Sequence, residues 1–284
     1  MITCTNCTTK QILESDIIMP DDDKQYNQYW QKKILGIEIF KIKYFTKWFL
    51  YKFLGIKLPK MKSQRHYWST RGRVYMEEVI DTNFLDREAF FQDIFVDYLK
   101  TVSFNSLFEA GCGFGWNIKR VKDEFSHVQI GGVDFSIPQL QNSRAYMPDY
   151  NPLLTCGDCT SMPLKDNAYD VGITVGVFMN IHPDQIMNAL GEMVRVCGKY
   201  VIHLEYDENN TTKELKEARS FKTNIVSHDY KAMYESLGKE VLVFQTYKDF
   251  TEQFQEFISS VDSNVTTWED FEGPEKYIFM VVKV

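Results

Sequence analysis

The segment Ser106-Leu-Phe-Glu-Ala-Gly-Cys-Gly-Phe-Gly-Trp-Asn117 joins a short apolar strand to the start of a helix. Three glycines alternate with other residues in the connecting turn, and glycine permits both a sharp backbone turn and the close approach of a ligand. A Gly-X-Gly-X-X-Gly dinucleotide fingerprint would need glycine where Trp116 or Ile118 stands. The Gly-Lys-Ser/Thr of a phosphate-binding loop is also absent. The turn is therefore not built for a pyrophosphate.

Strand-like and helix-like segments alternate from Phe104 to the end of the chain. Apolar runs bounded by turn residues predict seven strands, at 106–109, 129–135, 152–158, 169–177, 199–206, 241–247 and 277–284. Helical periodicity predicts a helix after the glycine turn and further helices at 138–147, 184–196 and 229–237. This alternation predicts an α/β fold, in which helices cover both faces of a seven-stranded, mostly parallel sheet.

The overall composition is that of a soluble globular protein. Of the 284 residues, 44% are hydrophobic and 25% are charged, which excludes a disordered chain and a multi-span membrane protein. The net charge of -7 is unevenly distributed, because residues 24–75 contain 13 Lys and Arg but a single acidic residue, Glu38. So basic a region is expected to face an anion, which could be a phosphate-bearing substrate, a membrane surface or the acidic remainder of the protein.

Residues 24–62 combine aromatic rings with lysines and are predicted to be helical, after a polar and loose arm at 1–23. No apolar stretch here approaches the ~20 residues of a membrane-spanning helix. The segment is either a cap that packs its rings on the α/β domain or an anchor at the surface of an anionic membrane. The cap is favoured because apolar side chains surround the predicted helix and leave no amphipathic stripe.

The six cysteines predict a reduced protein and no metal site. The first residues lack a basic start followed by an apolar run, so no secretory signal is recognised and a cytoplasmic location is expected. Cys4/Cys7 and Cys156/Cys159 are two Cys-X-X-Cys pairs that could together hold zinc. About 150 residues separate the pairs, far more than in a zinc ribbon.

Four motifs across about 105–206 resemble, in order and spacing, those of the class I S-adenosylmethionine-dependent methyltransferases. Glu109-Ala-Gly-Cys-Gly-Phe-Gly115 is similar to the family's Glu/Asp-X-Gly-X-Gly-X-Gly motif, and Gly132-Val-Asp134 places an acidic residue at the end of the second strand. The stretch from Cys156 to Asp170 is similar to Gly-Asp-X-X-X-Leu-Pro-Phe-X-Asp-X-X-Phe-Asp. Strand four and the following helix complete the match. The usual Leu-Lys-Pro-Gly-Gly turn before strand five is shortened here.

The resemblance implies a Rossmann-like methyltransferase fold, with S-adenosylmethionine as cofactor and S-adenosylhomocysteine as product. It implies that Asp134 accepts the ribose hydroxyls, that Phe135 and Asp158 contact the adenine, and that two valines end strand four beneath the sulfonium. The cofactor-binding residues that it implies are Tyr67, Arg71, Glu109, Gly111, Cys112, Gly113, Gly115, Asn117, Asp134, Phe135, Asp158, Cys159, Val175 and Val177.

Tyr67, Arg71 and the two candidate catalytic residues also have explanations that involve no role in the site. Tyr67 and Arg71 are included because many relatives close an N-terminal helix over the cofactor carboxylate, but a solvated basic face explains them equally well. His182 and His203 are the candidate general bases, because they fall near the carboxyl ends of strands and imidazole titrates near neutrality. The alternatives are a loop residue satisfied by backbone for His182 and a strand side chain facing the helices for His203. An amine or thiol acceptor would need no base.

We expect an arm and basic aromatic cap at 1–75 and a methyltransferase domain at 76–284, with insertions at about 207–227 and 248–276 that select the substrate. The expected reaction is in-line methyl transfer to O or N of a small molecule, such as a sugar or a phosphate-bearing nucleotide-sugar. The alternatives are a lipid or lipid-linked acceptor, with residues 24–62 on the inner membrane face, and a partner protein that binds the cofactor without catalysis. Nucleic acid is not expected, because no Asn-Pro-Pro-Tyr-type motif follows strand four. The oligomeric state stays open and includes a homodimer.

Overall fold

The structure is a computed structural model. It describes residues 68–69, 71–81, 84–211, 226–260 and 277–284, together with the short pieces 3–4, 33–35, 37–38, 46, 49–50 and 53–54. The site candidate Tyr67 lies outside the described residues, as do Cys7 and the larger part of both predicted insertions.

The described strands, numbered in chain order, are β1 Thr3–Cys4, β2 Lys33–Ile34, β3 Ile37–Glu38, β4 Ser106–Ala110, β5 Gln129–Asp134, β6 Leu153–Cys156, β7 Tyr169–Val175, β8 Cys197–Glu205, β9 Glu240–Gln245 and β10 Ile278–Lys283. The helices are α1 Tyr75–Asp81, α2 Phe84–Lys100, α3 Trp116–Glu124, α4 Ile137–Tyr146, α5 Ile186–Val196, α6 Tyr230–Ser236 and α7 Tyr247–Ser260. A 3₁₀ turn at Phe178–Asn180 follows β7.

The main sheet has the strand order β1-β6-β5-β4-β7-β8-β10-β9 within the described residues. Strands from β1 to β8 in this order pair in parallel, whereas β10 pairs antiparallel with both β8 and β9. The seven predicted strands are therefore confirmed, and β1 adds a two-residue strand at the edge. Because β4 and β5 are neighbouring parallel strands, the residues that follow them meet at one edge of the sheet.

Apolar side chains fill both faces of this sheet. On one face, Phe91, Phe95 and Leu99 of α2 are fully buried, together with Ile118 and Val121 of α3. The other face is covered by α5 and α6, whose buried side chains include those of Ile186, Leu190, Met193, Tyr230 and Tyr234. The prediction of helices on both faces is thus confirmed.

The predicted substrate insertion at 248–276 is wrong in its first part. Residues 247–260 form α7, and the rings of Phe250 and Phe254 lie 5.9 and 5.2 Å from that of Phe90 in α2. Both phenylalanines are buried, so they belong to the core of the domain. The missed signal was helical spacing, because Phe250, Phe254 and Phe257 recur every three or four residues.

The N-terminal predictions need two corrections. Thr3–Cys4 is a strand that pairs with Thr155 and Cys156, so the arm at 1–23 is not loose throughout. Lys33–Ile34 and Ile37–Glu38 form an antiparallel hairpin where a helix was predicted. Leu35, between the two strands, has φ 51°, and tight hairpin connections favour a positive φ. Among the described helices, none is both long and apolar enough to cross a membrane.

Candidate functional site

The glycine turn between β4 and α3 adopts a backbone conformation that is unfavourable for residues with a side chain. Gly111, Gly113 and Gly115 have φ of 74°, 53° and 88°, in the left-handed region that favours glycine. The N–H groups of Gly111 and Cys112 donate to the carbonyl of Val133 at 2.6 and 3.1 Å, which ties the turn to the end of β5. A Cβ built on Gly113 would meet the side chains of Trp116 and Gln139 at ordinary contact distances of 3.5 and 3.6 Å, so the positive φ, not lack of space, favours glycine there.

Asp134, at the end of β5, faces this turn. Its Oδ2 accepts from the N–H of Gly113 at 3.0 Å, and its Oδ1 accepts from the N–H of Ser136 at 2.7 Å. Burial raises the pKa of Asp134 to about 6, although the two backbone hydrogen bonds act in the opposite direction and lower it. The carboxylate is thus fixed beside the glycine backbone, and its remaining lone pairs can accept further hydrogen bonds.

Glu109, in β4, is buried at the base of the turn. Asn117 Nδ2 donates to Glu109 Oε1 at 2.7 Å, and Gln92 Nε2 donates to Asn117 Oδ1 at 2.9 Å. Glu109 Oε2 is buried and has no hydrogen-bond partner among the described residues. Burial raises the pKa of Glu109 well above its ordinary value. An unpartnered buried carboxylate oxygen is costly, and it is the group that a cationic or hydrogen-bond-donating ligand would satisfy.

The predicted adenine side of the site lies after β6. Asp158 Oδ1 accepts from the N–H and the hydroxyl of Thr160 at 3.0 and 2.7 Å, which closes a tight turn. Phe135 is half-buried at the neighbouring strand end, with its carbonyl 3.9 Å from Cys156 Sγ. Cys159 is buried, and burial raises the pKa of its thiol well above the ordinary value. This cysteine is therefore a neutral, apolar part of the wall.

Val175 and Val177 lie at the end of β7, on the other side of the glycine turn. Val175 is buried in the core. A Cβ built on Gly111 would lie 2.7 Å from Val177 Cγ2 and 3.0 Å from Val177 Cβ. The Val177 side chain thus packs directly against Gly111 of the turn. Val175 and Val177 flank Gly176 in the sequence.

Arg71 lies beside the glycine turn on a segment that packs across α4. Its Nε and Nη2 donate to Glu78 Oε2 at 3.3 and 3.2 Å, and its guanidinium lies 4.9 Å from the ring centre of Tyr75. Tyr75 in turn approaches the rings of Phe114 and Trp116 at 6.2 and 6.1 Å. The predicted solvated basic face is excluded for Arg71, which is buried.

Comparison with known proteins identifies this arrangement. The profile of a methyltransferase-domain family matches residues 108–199, which run from β4 into β8 and contain the glycine turn, Asp134 and Asp158. Residues 108–199 therefore belong to a methyltransferase domain, within the Rossmann-like fold of the class I, S-adenosylmethionine-dependent methyltransferases. No curated protein matches the chain.

Solved structures share the methyltransferase fold. A chain from the complex of the Haloferax volcanii Trm112 methyltransferase activator with a methyltransferase is 16% identical, with a TM-score of 0.55, over 79% of this chain and 99% of that one. Geranyl diphosphate C-methyltransferase from Streptomyces coelicolor A3(2), crystallised with Mg²⁺, geranyl diphosphate and S-adenosylhomocysteine, is 13% identical, with a TM-score of 0.53, over 69% and 78% of the two chains. At these identities the likeness concerns the fold alone.

The methyltransferase site fits its cofactor. S-adenosylmethionine carries hydroxyls, an amino group and a positive sulfonium, and the carboxylate of Asp134 is held beside the backbone of the glycine turn by the N–H of Gly113. The unpartnered Oε2 of Glu109 adds a buried acceptor at the same strand edge. Both acidic groups have raised pKa values because burial dominates, so a cationic ligand would stabilise their ionised forms.

His203 is wrong as a candidate base of the methyltransferase. It is fully buried on β8, where Nδ1 lies 2.6 Å from Thr174 Oγ1 and Nε2 lies 2.7 Å from the hydroxyl of Tyr234. Both ring nitrogens are occupied, and burial lowers the pKa of His203 to about 3. The alternative, a strand side chain facing the helices, is confirmed.

His182 follows the 3₁₀ turn at the carboxyl end of β7, and its role stays a prediction. Its side chain is 58% exposed, and its Nδ1 lies 3.2 Å from Asp184 Oδ2. The backbone N–H of Asp184 donates to the same Nδ1 at 3.3 Å, in keeping with a loop residue satisfied by backbone.

Sequence reasoning missed three residues that shape the site. Gln92 completes the network of Asn117 and Glu109, and Tyr75 covers the rings of the glycine turn. Glu205, the last residue of β8, binds the backbone of the turn after β7. A regular apolar spacing in α2 could have revealed the helix that carries Gln92, whereas no local pattern marks Glu205.

Proposed function

We propose that this methyltransferase transfers the methyl group of S-adenosylmethionine to an oxygen or nitrogen atom of a small molecule, such as a sugar or nucleotide-sugar. The observation that carries the proposal is the convergence of Glu109, Gly113 and Asp134 at one strand edge, bridged by the Gly113 N–H to Asp134 bond of 3.0 Å. Trp68 packs beside this edge, since the Ser136 hydroxyl donates to the Trp68 carbonyl at 3.3 Å. A site covered in this way suits a small acceptor.

The chain's own residues would bind and orient the two reactants. Asp134 would accept the ribose hydroxyls, since a fixed carboxylate accepts two hydrogen bonds well. Glu109 would accept from the amino group through its Oε2, and Asp158 would accept from the adenine amino group. When bound, S-adenosylmethionine supplies an electrophilic methyl group on a sulfonium. The acceptor would approach from the carboxyl ends of β4 and β7, the general ligand side of an open α/β sheet.

A general base is needed only for a hydroxyl acceptor. His182 would fill this role if the acceptor lies over the loop after β7, because its exposed imidazole can accept the proton of a bound hydroxyl. An amine acceptor would need no such base. Replacing His182 by alanine would then leave amine methylation unchanged and slow hydroxyl methylation by about 100-fold or more.

The decisive experiment is the binding of S-adenosylhomocysteine, measured by isothermal titration calorimetry with the full chain. Asp134→Asn should weaken binding by about 10- to 100-fold, since a hydrogen bond to a charged group contributes about 1.5–3 kcal/mol. Asp170→Asn is the matched control. Asp170 also accepts a backbone N–H, from Asn105 at 2.6 Å, but it lies at the amino end of β7, away from the site.

The control distinguishes a local effect from general damage. Asp170→Asn should lower the free energy of unfolding and leave the affinity for S-adenosylhomocysteine unchanged. If wild-type protein does not bind this ligand, or if Asp134→Asn binds it as tightly as wild type, the proposed cofactor site is wrong. A screen of sugars, nucleotide-sugars and amines with S-adenosylmethionine then identifies the acceptor by the formation of S-adenosylhomocysteine.

A lipid or lipid-linked acceptor is the second candidate, and exposed rings favour it. Phe49 and Phe53 are 46% and 62% exposed, with ring centres 4.9 Å apart, and Leu54 beside them is 60% exposed. They lie within the basic region 24–75, and rings combined with lysines suit an anionic membrane surface. Co-sedimentation with vesicles containing phosphatidylserine should be reduced by Phe49→Ser/Phe53→Ser. Equal sedimentation of the two proteins, or none with wild type, would exclude this candidate.

A further inference from the structure

Glu205 lies beneath the turn that follows β7. Its Oε1 accepts from the N–H groups of Val177 and Phe178 at 2.9 and 3.0 Å, and its Oε2 accepts from the N–H of Met179 at 3.3 Å. Three consecutive amides thus point at one carboxylate. The Glu205 side chain is fully buried, so these bonds are shielded from competing water.

A hydrogen-bonded chain of side chains continues from this carboxylate into the core. The Thr174 hydroxyl bonds to Glu205 and also lies 2.6 Å from His203 Nδ1, and His203 Nε2 lies 2.7 Å from the Tyr234 hydroxyl. If Thr174 donates to Glu205, it must accept from Nδ1–H, and Nε2 then accepts from Tyr234. His203 is therefore neutral, and every donor in the chain points towards Glu205.

No basic side chain among the described residues faces Glu205. The titratable groups near it are Glu109 on β4, Cys159 after β6, His203 on β8, Tyr230 and Tyr234 on α6, and Tyr277 before β10. Burial raises the pKa of Glu205 to about 7, although the three backbone bonds and the Thr174 hydroxyl lower it. Its charge is compensated by these donors instead of a cation, so the state of the carboxyl group and the geometry of the turn depend on each other.

The same turn contacts the glycine turn of the cofactor site. The Val177 amide is bound by Glu205, and the Val177 side chain is seated on Gly111. The far end of the turn is held as well, because His228 Nε2 lies 3.1 Å from the carbonyl of Ile181 and the Val226 N–H donates to the carbonyl of Met179 at 2.8 Å. The path from Glu205 to the glycine turn therefore runs through one residue, Val177.

We propose that Glu205 is a positioning residue for the cofactor. Glu205 fixes Val177 against Gly111 only when the Glu205 carboxyl group is ionised. The inference rests on the proposed placement of the cofactor at the glycine turn. Protonation places a hydrogen either on Oε2, which faces the N–H of Met179, or on Oε1, which faces those of Val177 and Phe178. Either way the turn at 177–179 loses part of its three-bond anchor, and Val177 is no longer fixed as before. The affinity for the cofactor is then coupled to the ionisation of a residue that does not touch it.

Calorimetric titration with S-adenosylhomocysteine at pH values from 5.5 to 8 tests this coupling. Glu205→Gln should bind about tenfold more weakly than wild type at pH 8, because the amide group cannot accept from all three N–H groups. Wild type should lose affinity as the pH falls, and the component due to Glu205 should be missing from the variant. Titration of the ligand and of Asp134 is common to both proteins and cancels in the comparison. The charge of Glu205 helps to raise the pKa of Glu109, so the comparison is repeated in a Glu109→Gln background, where the difference should persist.

Asp207→Asn is the matched control. Asp207 is also buried, accepts from the N–H groups of Asn209 and Tyr230 at 2.7 and 3.2 Å, and has its pKa raised to about 6 by burial. It does not bind the turn at 177–179. Its replacement should lower stability while the affinity for S-adenosylhomocysteine and its pH profile stay those of wild type.

Two further measurements test the proposal even if Glu205→Gln folds poorly. Thr174→Val keeps the side-chain shape but removes one donor to Glu205, so the midpoint of the pH profile should move to higher pH. In the wild-type protein, the amide protons of Val177 and Phe178 should shift together in NMR spectra over the same pH range, as bonds to a titrating carboxyl group change.

The outcomes separate this inference from the proposed function. If wild type does not bind S-adenosylhomocysteine, both are overturned. If wild type binds and Asp134→Asn does not, but Glu205→Gln and Thr174→Val keep the wild-type affinity and pH profile, the cofactor site stands and the role of Glu205 is refuted. The role is also refuted if the Val177 and Phe178 amides do not titrate.

Discussion

Replacing Gly111 by alanine should damage both the stability and the cofactor affinity of this methyltransferase. Gly111 has φ 74°, and a left-handed conformation costs an L-residue about 1–2 kcal/mol. The new Cβ would also lie 2.7 Å from Val177 Cγ2 and 3.0 Å from Val177 Cβ. Overpacking of this kind costs about 1–3 kcal/mol, so the free energy of unfolding should fall by about 2–5 kcal/mol in total.

The two contributions can be measured separately by urea unfolding. Val177→Ala removes both methyl groups that would collide, and by itself it should cost about 1 kcal/mol, because Val177 is half-buried. In the double variant Gly111→Ala/Val177→Ala, the clash is relieved and only the backbone strain remains. The double variant should thus be more stable than the sum of the single effects by at least about 1 kcal/mol.

Gly191→Ala is the matched control for this glycine-to-alanine change. Gly191 lies in α5, and a Cβ built there would meet no atom within 4 Å. The substitution should stabilise the protein by about 0.5–1 kcal/mol, since alanine is the better helix former. Additive effects of Gly111→Ala and Val177→Ala would show that Val177 is not seated on the glycine turn, and the reasoning about Glu205 would fail with it.

Two further predictions concern buried titratable groups. Glu109→Gln should weaken S-adenosylhomocysteine binding by about tenfold in calorimetry, because an amide nitrogen in place of Oε2 cannot accept from the amino group of the ligand. The folded pKa of His203, about 3, lies below its ordinary value, so its contribution to stability is present above pH 6.5 and lost as the pH falls from 6.5 towards 3. Between pH 7 and pH 5 the free energy of unfolding of wild type should fall by about 2 kcal/mol more than that of His203→Gln. An equal dependence of this free energy on pH in the two proteins, measured by urea unfolding, would contradict the prediction.

The fold and the cofactor motifs were predictable because they are local in the sequence. The glycine turn needs residues that tolerate a positive φ, and strand ends need no knowledge of distant contacts to be recognised. The bounds of β4 and β5 were predicted to within one residue. The same local rules placed Asp134 beside the glycine turn, because parallel neighbouring strands end at one edge.

The rest of the site depends on contacts between distant parts of the chain. His203 has the residue type and strand position of a base, and only the packing of Thr174 and Tyr234 against its two nitrogens shows that it is a core residue. Glu205 is separated by 28 residues from the amide that it binds at Val177. Phe250 and Phe254 were misjudged for the same reason, since their partner helix α2 lies far away in sequence.

The acidic character of the site predicts that cofactor binding releases protons. Asp134 has its pKa raised to about 6 by burial, so near pH 6 about half of its carboxyl groups are protonated, whereas acceptance of two ribose hydroxyls requires the ionised form. Binding at pH 6 should release about half a proton from Asp134, and binding at pH 8 almost none.

Calorimetry in two buffers with different ionisation enthalpies measures the total number of protons released, and the difference between wild type and Asp134→Asn gives the component from Asp134. Asp134→Asn should abolish the Asp134 component of the release at pH 6, while Asp170→Asn should retain it. Proton uptake at pH 6, or a release that is unchanged in Asp134→Asn, would show that the ligand does not draw on this carboxylate. The ribose would then have to be bound elsewhere, because protons that are still released in Asp134→Asn cannot come from Asp134.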